Sequence, residues 1–248
     1  MHKLITDFMS TFYGYGNLQA PYWFIGMEEG CGPSWENDVI PRFKIWESRG
    51  RKMIDDAREY HFDLGIREFW EAPTGRQVKV QRTWRRLLET LLCAKGQEVS
   101  EENVRQLQAN AFAMEGSDTC LLELLPLPSS SIKSFDYVRL ENQDHAYFAS
   151  RSKYRRYVLA NRIPKIRELV LTHRPRHVVL YGTTYRKYWG QLVNSATWPE
   201  KGALIPNYQV GESSIWLVPH PCARVSQSVF IELGKKLRDI DQEQIGAE

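Results

Sequence analysis

Three short stretches of this sequence carry side chains that could do chemistry on a bound ligand. Glu28 and Glu29 follow the apolar run Tyr22–Ile25 almost directly. Glu123 interrupts a leucine-rich segment, and His220 lies between two prolines. Carboxylates and an imidazole that meet at one site can orient a water molecule and stabilise a departing anion. The sequence therefore predicts a catalytic or ligand-binding site, provided that the fold brings the three stretches together.

The elements around these stretches indicate how they could meet. Short apolar runs that end at Gly or Pro predict four buried strands, over Tyr22–Ile25, Cys120–Leu125, His177–Tyr181 and Ile215–Val218. Apolar spacing predicts helices between them, over Thr83–Leu92, Tyr154–Leu171 (kinked or restarted at Pro164) and Ser226–Ile240. The loops expected to converge at the carboxyl ends of the strands are 26–32, 126–131, 182–185 and 220–224.

Strands that alternate with helices predict an α/β fold. We expect a three-layer α/β/α sandwich around a central, mainly parallel sheet of four strands, in one domain over residues 1–248. Residues 31–81 have no clear place in this pattern and are interpreted as an insertion or lid that walls the pocket. Residues 239–248 are interpreted as a polar tail.

Composition limits the possible functions. The 248 residues include 33 Lys and Arg against 30 Asp and Glu, with 42% hydrophobic residues. The basic residues are concentrated, however: residues 151–176 hold nine Lys or Arg and one acid, and residues 76–86 hold five and no acid. Local density of this kind favours a polyanion-binding face, whereas a solvated helix face is the ordinary alternative.

Other features of the sequence argue against whole classes of protein. The chain has no long apolar run and no signal-like start, so we expect a cytoplasmic protein that does not contact a membrane. We also expect a monomer. The four cysteines lie far apart, and we therefore expect no metal and no cofactor.

The three stretches also resemble the motifs of a known family. Residues 26–30, Gly-Met-Glu-Glu-Gly, are similar to Gly-Met-Asn-Pro-Gly. Residues 123–127, Glu-Leu-Leu-Pro-Leu, look like a strand with a base-reading Asn before Cys-Pro-Leu, and residues 220–224, His-Pro-Cys-Ala-Arg, are similar to His-Pro-Ser-Pro-Arg. In this order, each after a strand, they resemble the uracil-DNA glycosylase superfamily, above all its single-strand-selective and mismatch-specific branches. The resemblance covers residues from about 22 to 237.

The resemblance implies that the chain cleaves the N-glycosidic bond of a flipped-out nucleotide in DNA. Glu28 would orient or activate the attacking water, and His220 would donate to the base as negative charge develops. The residues implied to contact the base are Glu123, Phe43, Gly30 and Met27. Those implied to contact DNA are Arg224, as a wedge in the base stack, with Ser129, Ser130, Arg155 and Arg156 on phosphates.

Two departures from the family pattern bear on the substrate. Glu123 stands where uracil-reading members have a neutral Asn, and an ionised Glu would accept from the exocyclic amine of cytosine. Gly30 stands where the uracil-restricted branch has a Tyr that blocks substituents at C5. Together they favour a 5-modified cytosine, such as hydroxymethylcytosine or its glucosylated form in phage DNA, and hence a role in antiviral defence.

Other functions stay open on the sequence alone. Repair of uracil or damaged bases and a non-catalytic module that binds modified DNA are the main alternatives. A metal-dependent nuclease that uses Glu28, Glu29, Glu36 and Asp38 is disfavoured because these acids crowd into one loop. A nucleotide enzyme of the Rossmann type is disfavoured because the glycine motifs for phosphate are absent.

Overall fold

A seven-stranded mixed sheet forms the centre of the molecule in the computed structural model, which describes residues 1–131, 133–194 and 207–245. The strands lie in the order β3-β1-β4-β2-β5-β7-β6. Their bounds are β1 Gly14–Gly16, β2 Tyr22–Gly30, β3 Ile54–Asp55, β4 Thr119–Ser129, β5 His177–Tyr181, β6 Asn207–Val210 and β7 Ser213–Val218.

Helices flank this sheet and bury its apolar faces. Their bounds are α1 His2–Thr11, α2 Ile40–Ser48, α3 Ala57–Asp63, α4 Trp84–Ala94, α5 Glu101–Ala111, α6 Arg151–His173, α7 Arg186–Val193 and α8 Ser228–Ile245. Helix α4 packs on α8, and α6 packs on β4 and α7. The core includes Trp23, Phe24, Trp189 and Phe230, each fully buried. None of the helices in the described residues is long and apolar enough to cross a membrane.

The α/β class and the mainly parallel sheet are confirmed, but the expected number of four strands is wrong. The four predicted strands are the middle ones, β4, β2, β5 and β7, and all of them run parallel. The three additional strands, β1, β3 and β6, lie outside these four and are two to four residues long. They have no apolar run because β1 is Gly-Tyr-Gly, β3 is only Ile-Asp and β6 is largely polar.

Strands β2 and β4 extend further toward the site than the sequence indicated. Pairing between them continues past Glu28 and Leu125 to Gly30 and Ser129, so residues 26–30 form a strand and not the expected loop. Pro126 and Pro128 do not end β4, because the register shifts in this stretch. The amide between them, on Leu127, donates to the Tyr154 hydroxyl at 3.2 Å.

Two predictions about helix ends are corrected. Helix α6 continues through Pro164 as one element, and no new segment starts there. Residues 239–245 are not a polar tail but the last turns of α8, whereas 246–248 lie outside the described residues. The reason is Asp241, which is buried and accepts from Tyr22 (2.5 Å), Arg176 (3.0 Å) and His177 (2.9 Å).

We expect Asp241→Asn to destabilise the fold by about 2 kcal/mol, because hydrogen bonds to a charged group are among the strong ones. Burial alone would raise the pKa of Asp241, but its bonds from His177, Tyr22 and Arg176 outweigh burial and lower it below the usual 3.8. A carboxyl group whose pKa is lower in the folded than in the unfolded state stabilises the fold at pH values above its unfolded-state pKa. This stabilisation is lost as the pH falls through the folded-state pKa. The difference in Tm between wild type and variant should therefore shrink below about pH 4.

Asp239→Asn is the matched control, since Asp239 is exposed on the same helix. Equal Tm values for the two variants at neutral pH would contradict the stabilising role assigned to Asp241.

Candidate functional site

A cavity of about 500 Å³ is lined by the last residues of β2, by Glu123 in the first half of β4, by Tyr181 at the end of β5 and by His220 in the loop after β7. Its wall includes Glu28, Glu123 and His220, so the fold brings together the three stretches singled out in the sequence. Met27 and Gly30, which were expected to touch a base, line the same cavity. Six aromatic side chains contribute to the remaining wall: Tyr15, Phe69, Trp70, Trp84, Tyr181 and Tyr185.

The segment 31–81 supplies one wall of this cavity. It contains α2, β3 and α3, and its residues Arg42, His61, Ile66, Phe69 and Trp70 line the space. Phe43, expected to stack on a base, does not line it. Phe43 is fully buried in the core against Phe8, with ring centroids 4.9 Å apart, whereas its neighbour Arg42 reaches the cavity.

Glu28 is held by an arginine from a distant element. Nη2 of Arg151, the first residue of α6, pairs with its carboxylate, while Nη1 donates to Ser129 Oγ (3.1 Å) and to the Ser134 carbonyl (2.6 Å). Burial raises the pKa of Glu28 above 4.5, against the opposing charges of Arg151 and Arg155. A carboxylate with a raised pKa is better matched to accept a proton from water.

Glu29 lies in a buried polar network. It accepts from Arg42 (2.6 Å) and Tyr15 (3.0 Å), and His61 Nε2 lies 3.4 Å away. Burial alone would raise the pKa of Glu29, but Arg42 and His61 outweigh it and lower the pKa to about 2. Glu29 is therefore an ionised structural anchor for this wall.

Glu123 has no cation on its carboxyl group among the described residues. Tyr181 donates to Oε1 at 3.2 Å, and Oε2 is buried without a partner. Burial, together with the charges of Glu29 and Glu28, raises the pKa of Glu123 well above 4.5. This direction favours the protonated form of the carboxyl group, whereas the sequence predicted an ionised Glu.

Glycine at position 26 permits this arrangement. A Cβ on Gly26 would lie 2.1 Å from the Tyr181 hydroxyl and 2.6 Å from Glu123 Oε2. A Cβ on Gly30 would meet nothing within 4 Å. Gly26 is thus needed for close packing, whereas Gly30 leaves space open at the cavity, as the sequence suggested.

The position and tautomer of His220 are fixed by its own loop. The Cys222 amide donates to Nδ1 at 3.1 Å, so Nδ1 is the acceptor and the proton lies on Nε2. Burial lowers the pKa of His220 below 6.5, which favours the neutral ring. The ring packs edge-on to Tyr181 with centroids 5.8 Å apart. His220 is therefore a neutral hydrogen-bond donor in the cavity wall.

A basic cleft adjoins the cavity through Arg151. It is lined by Arg151, Arg155, Arg156 and Lys187, with no acid among its lining residues, and its volume is about 680 Å³. Within the described residues Arg155, Arg156 and Lys187 form no ion pair, and the buried Nε of Arg155 has no partner. Uncompensated charge in a concave surface is suited to a polyanion.

The remaining predicted DNA contacts are Ser129, Ser130 and Arg224. Ser129 binds Arg151 and the loop that follows it, and the exposed Ser130 contacts Ser134 at 2.9 Å. Both hydroxyls thus already have protein partners. Arg224 is exposed in the loop after His220 and forms no ion pair in the part of the chain that the structure describes.

The described residues contain no group of three or more His, Cys, Asp or Glu side chains that could hold a metal ion. Three of the four acids in the nuclease hypothesis form hydrogen bonds or ion pairs with different protein groups. Glu28 pairs with Arg151 and Glu29 with Arg42, while Asp38 accepts from the Ser34 amide at 2.8 Å.

The chain matches no protein-family model and no curated protein.

Three residues of the site were not anticipated from sequence: Arg151, Arg42 and Tyr181. In the sequence, Arg151 is one member of a basic block, and nothing there indicates that it pairs with a residue 123 positions away. The buried acids themselves were a usable signal, because a carboxylate next to an apolar strand needs a cation or a proton.

We expect Gly26→Ala to destabilise the protein by about 1–3 kcal/mol, because its Cβ would overlap Tyr181 and Glu123 in a packed region. Gly30→Ala, in the same strand, should change the free energy of unfolding by less than about 0.5 kcal/mol. Urea unfolding of the two variants measures both values. A loss for Gly30→Ala as large as that for Gly26→Ala would contradict this description of the site.

Proposed function

We propose that this chain is a monofunctional DNA glycosylase that hydrolyses the N-glycosidic bond of a flipped-out pyrimidine. The observation that carries the proposal is the meeting of Glu28, Glu123 and His220 around one aromatic-lined cavity at the carboxyl ends of parallel strands. A flipped base needs such a pocket, in which aromatic faces stack on the ring and polar groups contact its edges.

Glu28 is assigned to the water. Its carboxylate is held by Arg151, and its raised pKa suits a group that takes a proton from the attacking water near neutral pH. The same negative charge stabilises the cationic sugar that forms as the bond to the base breaks. Arg151 keeps the carboxylate in one orientation through its further bonds to Ser129 and Ser134.

His220 is assigned to the departing base. Its Nε2 proton is available because Nδ1 is occupied by the Cys222 amide. A neutral imidazole can donate to the pyrimidine O2 as that oxygen gains negative charge. No lysine is present among the residues that line the cavity in the part of the chain that the structure describes, so none of these lining residues offers an amine for a Schiff base. This supports hydrolysis without strand cleavage.

A 5-modified cytosine is the proposed substrate. The cavity of about 500 Å³ falls in the range of sites for drug-sized ligands, which leaves room beyond a bare pyrimidine. The open space at Gly30 lies in its wall. Hydroxymethylcytosine and its glucosylated form fit this description. Excision from foreign DNA would leave abasic sites, which is the basis for a role in antiviral defence inside the cytoplasm.

The basic cleft is the proposed phosphate contact. Arg155 and Arg156 are not neutralised by acids among the described residues and stand one or two turns beyond Arg151 on α6. A DNA strand that crosses this cleft would deliver its flipped nucleotide to the neighbouring cavity. Arg224 is exposed after His220 and is the proposed wedge that fills the gap left in the base stack.

We expect base release from DNA that contains hydroxymethylcytosine or glucosylated hydroxymethylcytosine, detected as alkali-labile sites, in buffer with EDTA. Glu28→Gln should lower the single-turnover rate by about 100-fold or more, because the variant cannot take a proton from water. Glu36→Gln is the control, since Glu36 lies in the same region with 76% of its side chain exposed.

Other outcomes distinguish the alternatives. Release of uracil without release of modified cytosine would favour a repair glycosylase. Specific binding of modified DNA with no base release, unchanged in Glu28→Gln, would favour a non-catalytic module. Loss of base release in EDTA would contradict metal-independent hydrolysis.

Removal of two cleft charges should weaken DNA binding in a salt-dependent way. For Arg155→Ala/Arg156→Ala, we expect the slope of log K against log salt concentration to fall by about 2, since each lost contact with duplex phosphate contributes about 0.9. Lys165→Ala/Lys236→Ala removes two lysines that already pair with Glu168 and Glu232. Fluorescence anisotropy over a salt series measures both slopes, and equal slopes for the two double variants would exclude the cleft as the phosphate site.

A further inference from the structure

The carboxyl group of Glu123 is incompletely satisfied by the protein. Glu123 lines the cavity; Oε1 accepts from Tyr181, but Oε2 is buried next to Gly26 and has no partner among the described residues. A buried polar atom without a hydrogen bond costs free energy, and a ligand that completes the bond recovers it. Whether Oε2 is a donor or an acceptor therefore indicates which hydrogen-bonding group a ligand must offer at this position.

Charged and titratable groups face Glu123 from several elements. They are Glu28 and Glu29 on β2, Tyr181 on β5, Arg162 on α6, and His220, which packs on Tyr181. Arg162 donates to the backbone carbonyls of Glu123 (2.7 Å) and Leu124 (3.0 Å), so its hydrogen bonds hold the strand and not the carboxyl group. With two acids nearby and no direct cation, the carboxyl group is stable in its neutral form.

The Tyr181 hydroxyl assigns the two oxygens. A hydroxyl that donates to Oε1 marks that oxygen as the acceptor, which leaves the proton of the neutral acid on Oε2. Oε2 is then a donor without an acceptor. A ligand that fits must offer an acceptor at this point.

We propose that Glu123 is the general acid of base departure, donating its Oε2 proton to the ring nitrogen N3 of a cytosine-type base as the bond between C1′ and N1 breaks. This inference rests on the proposed glycosylase function. Glu123 then has a catalytic role, whereas the sequence predicted only that it accepts a hydrogen bond from the exocyclic amine of cytosine.

The step balances as follows. The electron pair of the C1′–N1 bond moves into the base, and N3 takes the proton as the O–H bond of Glu123 breaks, so the base leaves neutral. Water adds to C1′ and loses its proton to Glu28. Glu123 is left ionised and Glu28 protonated, and exchange of one proton with solvent at each group restores both.

The same geometry selects between bases. N3 of cytosine carries a lone pair and can accept, whereas N3 of uracil already carries a hydrogen. A substituent at C5 leaves N3 unchanged. A donor fixed at Oε2 therefore favours cytosine-type bases with any C5 group that the cavity admits.

Glu123→Gln tests the proposal, because an amide can accept from Tyr181 and donate to N3 but transfers no proton. We expect the single-turnover rate of base release to fall by about 100-fold or more, with Tm and DNA binding close to wild type. The wild-type rate should fall as pH rises through the raised pKa of Glu123, and Glu123→Gln should lose that limb of the profile. Glu36→Gln again serves as the control.

A substrate analogue supplies an independent readout. In the 3-deaza form of the excised base, a C–H replaces N3. On the analogue, the wild-type rate should fall by about the same factor as the rate of Glu123→Gln falls on the normal base. The rate of Glu123→Gln should be nearly the same on the analogue and on the normal base. Additive losses would overturn the proposal, as would a wild-type rate in Glu123→Gln.

The protonation state can be measured without any substrate. The infrared difference spectrum of wild type minus Glu123→Gln at pH 7 should contain the C=O band of a protonated carboxylic acid. A carboxylate band instead would overturn the proposal whether or not the enzyme is active. The acid band in a protein that releases no base would contradict the proposed glycosylase function and not the donor state of Glu123.

Discussion

Three glutamate carboxyl groups share the wall of one cavity, and within the described residues only two of them pair directly with a cation. Like charges in a poorly solvated space repel each other strongly, so each group needs either a counter-charge or a proton. Glu28 takes Arg151 and Glu29 takes Arg42. Glu123 has no cation on its carboxyl group in the part of the chain that the structure describes, and burial raises its pKa well above 4.5. Three chemically identical side chains thereby have different surroundings: one pairs with Arg151, one pairs with Arg42, and the third has no cation among the described residues.

Helix α6 connects this electrostatic arrangement to the fold. Arg151, Arg155 and Arg162 are four and seven residues apart, a spacing that places them on one side of the helix. The first holds Glu28, the second lines the basic cleft, and the third is buried and ties β4 to the end of α1 through the carbonyls of Glu123 and Phe12. One helix face therefore fixes two strands and delivers positive charge to the site. This face explains part of the basic block in the sequence, whereas Lys165, Arg174 and Arg176 of the same block pair with Glu168, Glu212 and Asp241.

The sequence predicted the centre of the fold better than its edges. Apolar runs located β4, β2, β5 and β7 because a strand buried on both faces must be apolar, and short edge strands carry no such pattern. The same strands placed Glu28, Glu123 and His220 together. Features that depend on long-range contacts could not be predicted from the sequence. Phe43 lies in the core, whereas Trp70 lines the cavity. The raised pKa of Glu123 likewise depends on its burial and on groups from other elements.

The two terminal nitrogens of the Arg151 guanidinium bind different groups, and this limits which residues can replace Arg151 in evolution. One nitrogen holds Glu28 while the other binds Ser129 and the Ser134 carbonyl, so the side chain spans two strands and a loop at once. A lysine has a single nitrogen and could not keep both sets of bonds. Arg155 and Arg156 make no such forked contact among the described residues, and either basic residue would serve there. Divergent copies of this gene should thus exchange arginine for lysine freely at 155 and 156 and almost never at 151.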